Sequence, residues 1–294
     1  MSLLGDAIDG GEFAVTCELN PPKGVNLAPM LARAKALAGR VHAFNVTDSH
    51  AARMSMCPLA AARRLLDAGA EPIVQFTTRD RNRIALQADL LGACALGIEN
   101  VVFMGGDPPS NGDHPDAKAV FDVYSSAILD AARGLTEGRD MTGNALDGAP
   151  SLVLGAVVNP GASNVDDEIK RLEEKIAAGA RFFQTQAVYD AGAFERFARR
   201  IAHLDAPLFA GIIPLKSARM AEWMNGNVPG IEVPDALVRE VEAAADRTAA
   251  AIGAAARTIA EIRPLCAGVH VMAIGWEAHI PRLLEEAGIE PVSA

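Results

Sequence analysis

Val101-Val-Phe-Met-Gly-Gly-Asp-Pro-Pro109 is the stretch that decides the fold of this 294-residue chain. It begins as a continuous apolar run, which is typical of a strand buried on both faces of a parallel sheet. Gly105 and Gly106 allow close approach to the backbone, and Pro108-Pro109 prevents a helix from continuing. Asp107 therefore falls at the carboxyl end of a strand, where parallel sheets and barrels carry their chemistry. An ordinary turn after a strand is the alternative interpretation.

Seven further apolar runs of strand length occur along the chain, and each is followed by a segment with helical periodicity. The predicted strands are 13–19, 42–46, 72–76, 101–104, 152–158, 181–185, 207–213 and 268–272. The predicted helices are 27–39, 58–68, 82–96, 122–137, 165–178, 191–203, 217–225, 234–262 and 276–287.

Eight strand–helix units predict a single-domain (β/α)8 TIM barrel over residues 1–294, with a surface loop at about 138–150. No Gly-x-Gly-x-x-Gly follows the first strand, which argues against an open dinucleotide-binding sheet.

The composition narrows the class of protein. Half of the residues are hydrophobic but only 5% are aromatic, which suits helices packed on a parallel sheet. The formal net charge of −10 disfavours general binding to nucleic acid or to an anionic membrane surface. The four cysteines are scattered, and neither a signal peptide nor a membrane-spanning run is evident, so we expect a soluble, cytoplasmic protein.

Polar side chains follow the other predicted strands, and Glu18 is the most informative of them. It lies in the apolar run Val15-Thr-Cys-Glu-Leu19, where a carboxylate is costly to bury and acquires a raised pKa. Such a group can donate a proton near neutral pH. The alternatives are a solvated strand end or an ion pair with an arginine such as Arg79. The other groups expected on this rim are Asn45, Thr47, Asp48, Gln75, Thr77, Asp107, Asn159, Gln186 and, nearby, Lys216.

Other chemistries find less support. No metal-ligand spacing and no Ser-His-Asp order stands out. Lys23 and Lys216 follow strand ends, so a Schiff-base lyase or aldolase remains an alternative. Lys175 lies in a helix rich in Glu, which predicts a solvated position.

The chain resembles methylenetetrahydrofolate reductases of the bacterial single-barrel type over nearly its whole length. The resemblance rests on several segments taken together. They are 13–22 with its Glu followed by Pro-Pro, Thr78-Arg-Asp-Arg-Asn-Arg83, 86–92, 96–100, Gly106-Asp-Pro-Pro109, Gly112-Asp-His-Pro115, 178–186 and Gly211-Ile-Ile-Pro214.

The resemblance implies a place in one-carbon metabolism: reduction of 5,10-methylenetetrahydrofolate to 5-methyltetrahydrofolate by NADH or NADPH, mostly through bound FAD. It makes Glu18 the general acid that opens the imidazolidine ring to an iminium ion. It makes Asp107 a catalytic residue that contacts the pterin and tunes the flavin. Substrate binding is assigned to Gln184 and Gln186 together with Asp107.

The flavin pocket departs from the family pattern. Its expected members are Thr47, Gln75, Thr77, Gly105, Gly106, Asn159 and Lys175. Gln75 and Asn159 stand where flavin-bearing bacterial members have histidines. In the next helix Glu168, Arg171 and Glu174 replace phosphate or ribose contacts, and only Lys175 is retained. Either FAD binds through altered contacts, which the prevalence of flavin in the family favours, or NAD(P)H transfers its hydride directly.

Two further alternatives concern partners. A folate-binding barrel could be active only with a partner subunit. Barrels of this family often form homo-oligomers, and the Ala-rich segment 234–262 is a possible surface for that. An ordinary helix packed on the barrel is the simpler interpretation of the same segment.

Overall fold

The chain folds into a closed barrel of eight parallel strands in the order β1 to β8, with β8 hydrogen-bonded to β1. The structure is a computed structural model, and it describes residues 2–292. The strands are β1 Ala14–Leu19, β2 Ala43–Val46, β3 Pro72–Thr77, β4 Asn100–Met104, β5 Val153–Val158, β6 Phe182–Ala187, β7 Leu208–Ile212 and β8 Gly268–Val271. The predicted (β/α)8 barrel is therefore confirmed, and each predicted strand lies within about two residues of an observed one.

Helices cover the outside of the barrel. They are α1 Leu3–Gly10, α2 Ala28–Ala36, α3 Pro58–Asp67, α4 Arg83–Ala95, α5 Ser125–Thr136, α6 Val165–Ala177, α7 Ala191–Arg200, α8 Ala218–Asn227, α9 Asp235–Ala243, α10 Arg247–Ile262 and α11 Ile280–Glu286. Residues 138–150 contain neither a helix nor a regular strand, and one isolated bridge joins Arg139 to Ala145. In the described part of the chain, no helix combines the length and the apolar character needed to cross a bilayer.

One helix prediction was wrong, and one helix was not predicted. The single helix expected over 234–262 is interrupted, because Ala244 is extended and the Asp246 side chain starts α10 by accepting a hydrogen bond from Ala249 N at 2.9 Å. The helix α1 was not predicted at all. It begins at a Ser2 cap and buries Leu4 and Ala7.

α1 closes the amino-terminal end of the barrel. Leu4 and Ala7 join an apolar floor made of Ala14, Ala43, Ile73, Val102, Val153, Phe182 and Phe209. Ser2 Oγ donates to Asn100 Oδ1 at 2.6 Å, and Leu4 N donates to Glu71 Oε1 at 2.9 Å. The Phe182 and Phe209 rings stack with centroids 5.3 Å apart. Gly155 makes room for them, because a Cβ there would lie 2.4 Å from Phe182 Cζ.

A polar layer lies above this floor inside the barrel. Asn45 Nδ2 donates to Gln184 Oε1 at 2.6 Å, and Gln184 Nε2 donates back to Asn45 Oδ1 at 2.9 Å. Thr16 Oγ1 lies 3.0 Å from His270 Nδ1. Burial lowers the pKa of His270 to about 3, so this imidazole is neutral at physiological pH. The polar groups are thus mutually bonded, and alternating residues of the same strands face the helices as a separate apolar shell.

Candidate active site

A cavity of about 430 Å³ opens at the carboxyl ends of the strands, within the size range of small-molecule sites. We call it the Glu18 cavity. Eight of the predicted site residues line it: Glu18, Gln75, Gly105, Gly106, Asp107, Asn159, Gln184 and Gln186. Its lining also includes the unpredicted residues His50, Met104, Val157, Val158, Glu168, Thr185, His270 and Met272. Thr77 and Lys175 lie outside it, and Thr47 lines a neighbouring cavity.

Glu18 is a buried acid in the lining of this cavity. Glu18 is only 8% exposed to solvent, although it lines the cavity. Burial raises the pKa of the Glu18 carboxyl, with His50 and Asn20 acting in the opposite direction and Glu277 adding to the rise. The ion pair with Arg79 is not formed, because Arg79 pairs with Asp80 at 2.6 Å. Glu18 therefore has the environment of a proton donor.

Thr47 and His50 come to Glu18 from the segment that follows β2. Thr47 Oγ1 donates to Asn20 Oδ1 at 2.8 Å, which fixes the Asn20 amide close to Glu18. His50 lies in a short 3-10 turn, and Ser49, Ala51 and Ala52 around it have left-handed φ angles of 50°, 53° and 55°. Non-glycine residues in that region are strained and cluster at functional sites. The sequence offered only the polar run Thr47–His50 as a signal for this turn.

Asp107 is exposed in the loop after β4, as the first motif predicted. Gly106 has φ +86°, and a Cβ there would lie 3.1 Å from Thr77 Cβ, so this position requires glycine. The buried Arg79 guanidinium donates to Asp107 O at 3.3 Å and to Ser49 O at 3.4 Å. Arg79 thus joins the loops after β2 and β4, and so helps to position both His50 and Asp107.

Thr77 has a structural partner. Its N and Oγ1 donate to Asp48 Oδ2 at 2.9 and 2.8 Å. Arg81 Nη1 donates to the same Asp48 oxygen at 2.6 Å. This buried network joins β3 to the loop after β2 and lies outside the lining of the Glu18 cavity.

The far wall of the cavity is built by α6. Glu168 Oε1 accepts from Asn159 N at 3.0 Å, and Oε2 accepts from Arg171 Nη2 at 2.8 Å. Lys175 Nζ donates to Val157 O at 2.7 Å, and burial lowers its pKa. The prediction of a solvated Lys175 was therefore wrong: this side chain is buried and holds α6 against β5.

The two glutamines of β6 differ in whether their side-chain amides are free to bind a ligand. Gln184 is engaged with Asn45 in the interior, as described above. Gln186 lies within a register shift between β6 and β7, where Thr185 Oγ1 accepts from Gly211 N at 2.9 Å. A bulge of this kind redirects a side chain. Gln186 Oε1 accepts from Ala187 N at 3.0 Å, which leaves its amide NH2 available for a ligand in the cavity it lines.

Of the lysine, arginine, aspartate and glutamate side chains in the described chain, only acidic ones line the Glu18 cavity. Glu18, Asp107 and Glu168 line it, and among the described residues neither lysine nor arginine does. Lys23 pairs with Asp113, and Lys216 donates to Ile274 O and lies over the Trp276 ring. In residues 2–292 no group of His, Cys, Asp and Glu is arranged to hold a metal ion.

The closed barrel of eight parallel strands, surrounded by helices, places the protein in the (β/α)8 class. In that class the carboxyl ends of the strands carry the ligand-binding and catalytic residues, and Glu18 lies at this end. The family model described as "Methylenetetrahydrofolate reductase" matches residues 3–288, and the chain belongs to that family.

Relatives with curated names agree with this assignment. The "Probable methylenetetrahydrofolate reductase (NADPH)" of Caenorhabditis elegans is 24% identical over 246 residues, covering 80% of this chain and 35% of the relative. "Methylenetetrahydrofolate reductase 1" of Schizosaccharomyces pombe is 26% identical over 162 residues, covering 53% of this chain and 25% of the relative. The matches thus cover between a quarter and about a third of these relatives' own length.

Solved structures share the fold alone. A tryptophan synthase structure from Mycobacterium tuberculosis superposes with a TM-score of 0.53 at 15% identity, covering 97% of this chain and 95% of that one. A phosphonopyruvate hydrolase complex gives a TM-score of 0.53 at 14% identity, covering 96% of this chain and 83% of that one.

Proposed function

We propose that this chain reduces 5,10-methylenetetrahydrofolate to 5-methyltetrahydrofolate, with NADH or NADPH as the hydride donor. The observation that carries the proposal is Glu18, a buried carboxyl with a raised pKa that lines the cavity at the catalytic end of the barrel. Membership of the reductase family supports the choice of substrate.

Glu18 supplies the proton that the reaction needs. Protonation of the leaving nitrogen of the imidazolidine ring breaks its bond to the bridging methylene, and the electrons of that bond remain on the nitrogen. The methylene is left as an iminium ion on the other nitrogen. A hydride from the dihydronicotinamide ring then forms the methyl group, so that one proton and one hydride are consumed for each NAD(P)+ released. A carboxyl whose pKa is raised by burial suits this step.

Asp107 and Gln186 would orient the folate. Both line the same cavity as Glu18, and Asp107 stands on a loop fixed by Arg79. A carboxylate accepts hydrogen bonds from the amino and ring N–H groups of a pterin, and the Gln186 amide can donate to the carbonyl of that ring. The negative charge of an Asp107 carboxylate would also stabilise the positive charge of the iminium ion as it forms.

The positions at which the resemblance expects flavin contacts do not fit FAD. Gln75 and Asn159 line the cavity in place of the expected imidazoles. Glu168 and Glu174 are carboxyl side chains of α6, where contacts to phosphate or ribose are expected, and carboxylates there would weaken the binding of an anionic group held against α6. The retained Lys175 is occupied by Val157 O. We therefore propose the direct route from NAD(P)H to the folate, without a flavin.

Two measurements on the purified chain test this proposal. The first follows the ultraviolet band of NAD(P)H on addition of methylenetetrahydrofolate, and its decay without added FAD is the expected result. The second is the visible absorption spectrum before and after addition of FAD. Flavin bands that bleach with NAD(P)H and recover with the folate would overturn the direct route but keep the reductase. A colourless protein that oxidises no NAD(P)H, even with FAD, would overturn the reductase assignment itself.

A further inference from the structure

A second cavity, of about 480 Å³, adjoins the Glu18 cavity, and we call it the Arg53 cavity. It lies among the loops that follow β1, β2 and β4. Its polar lining includes Lys23, His50, Arg53, Ser55 and Asp113. His50 lines both cavities, so a ligand long enough to fill one can extend past His50 into the other.

The charge of the Arg53 cavity is opposite to that of its neighbour. Lys23 is neutralised by Asp113, whose carboxylate also accepts from Met54 N at 3.0 Å. Arg53 is exposed and has no ion-pair partner within residues 2–292. Arg53 is therefore an uncompensated cation in the lining of this cavity.

Ser55 provides a second, independent observation at this cavity. Its hydroxyl oxygen is buried and has no hydrogen-bond partner in the described structure. A buried polar atom without a partner costs free energy, and such atoms in native proteins call for an explanation. Because Ser55 lines the Arg53 cavity, a rotation of its side chain about χ1 would bring this hydroxyl to a ligand there.

The cavity is also preformed. Ser49, Ala51 and Ala52 adopt left-handed backbone conformations, which persist only where the surrounding structure fixes the segment. Gly112 packs directly against that segment, because a Cβ there would lie 1.8 Å from Ala52 O. The loop after β4 thereby fixes the wall that carries Arg53 and Ser55, so little ordering is left to occur when a ligand binds.

We propose that the Arg53 cavity binds the anionic arm of a substrate whose reacting ring occupies the Glu18 cavity. This inference rests on the proposed function. Both substrates have such an arm: the diphosphate of NAD(P)H and the glutamate carboxylates of the folate. An arginine side chain pairs with either group through two parallel hydrogen bonds. Among the described residues the Glu18 cavity offers no lysine or arginine to an anion, whereas the adjoining cavity offers Arg53, which directs the arm towards Arg53.

The test compares Arg53→Ala with Arg239→Ala, a control that removes an exposed arginine of α9 that has no ion pair in the described chain. We expect Arg53→Ala to raise the KM of one substrate about tenfold or more, since a charge-assisted hydrogen bond is lost. A rise for NAD(P)H alone identifies the diphosphate. A rise that grows with the number of glutamates on the folate identifies the carboxylates. Arg239→Ala should change neither KM.

Calorimetric binding separates this proposal from the reductase assignment, because it requires no turnover. The probes are ADP-ribose and a folate triglutamate. Wild-type protein should bind at least one of them, Arg53→Ala should bind it about tenfold more weakly, and Ser55→Ala should weaken it without lowering Tm. The proposal is overturned if wild type binds neither probe, or if Arg53→Ala and Arg239→Ala behave alike. Binding that depends on Arg53 in a protein without reductase activity would keep the site and remove only the proposed reaction.

Discussion

Glu18→Gln should make the protein inactive and more stable at the same time. The amide keeps the shape of the side chain but has no proton to give to the folate nitrogen. Loss of a general acid typically reduces turnover by about 10²–10⁴-fold, or about 3–5 kcal/mol in the barrier. Folate should still bind, because Asp107 and Gln186 are unchanged.

The stability effect follows from burial. Because burial raises the pKa of Glu18 in the folded state, ionisation of this carboxyl destabilises the fold. Below the unfolded-state pKa of about 4, the carboxyl is protonated in both states and the two proteins should be equally stable. As pH rises through the folded-state pKa, the wild type loses stability that the variant retains. Burial of an uncompensated polar group lowers the free energy of unfolding by about 1–3 kcal/mol. The Tm of the variant should therefore exceed that of wild type by about 2–6 °C near pH 8.

Thermal unfolding at about pH 5 and about pH 8 measures this difference. Glu168→Gln is the matched control, since Glu168 is equally buried but accepts hydrogen bonds from Asn159 N and Arg171. Its amide variant should be less stable than wild type near pH 8. A Tm gap for Glu18→Gln that is the same at both pH values would refute the burial argument, and unchanged turnover would refute the role of proton donor.

Two further variants test the folate site and the barrel interior. Asp107→Asn should raise the KM for the folate or slow its reduction, as steady-state kinetics would measure, and normal folate kinetics would remove Asp107 from the site. Gly155→Ala should lower the free energy of unfolding by about 1–3 kcal/mol in urea titrations, because the new methyl group would overlap the Phe182 ring. The control Gly92→Ala places a methyl in open space on α4 and should be neutral or stabilising, so equal effects of the two would contradict the packing argument.

The barrel and much of its rim could be predicted because the signals are local. Each apolar run with a following helical period is visible within about 30 residues of sequence. The polar residues at strand ends then meet because the strands are parallel. Glu18 was identified for a physical reason: a carboxylate inside an apolar strand is costly, and the structure shows it buried with a raised pKa.

The remaining features depend on partners distant in sequence. Asn45 and Gln184 form hydrogen bonds with each other although they are 139 residues apart in sequence. Nothing in the sequence of either strand predicts this pairing. Lys175 looked solvated because its helix is rich in Glu, yet its target is the Val157 carbonyl of the preceding strand. The Arg53 cavity likewise needs the loops after β1, β2 and β4 to meet, which no single motif encodes.

The helix α1 has a consequence for synthesis on the ribosome. It is made before any strand of the barrel, but the floor on which it docks includes Val153, Phe182 and Phe209. Those residues belong to β5, β6 and β7, so Leu4 and Ala7 stay uncovered until β7 is available. The docking of α1 therefore reports that the strands up to β7 have assembled.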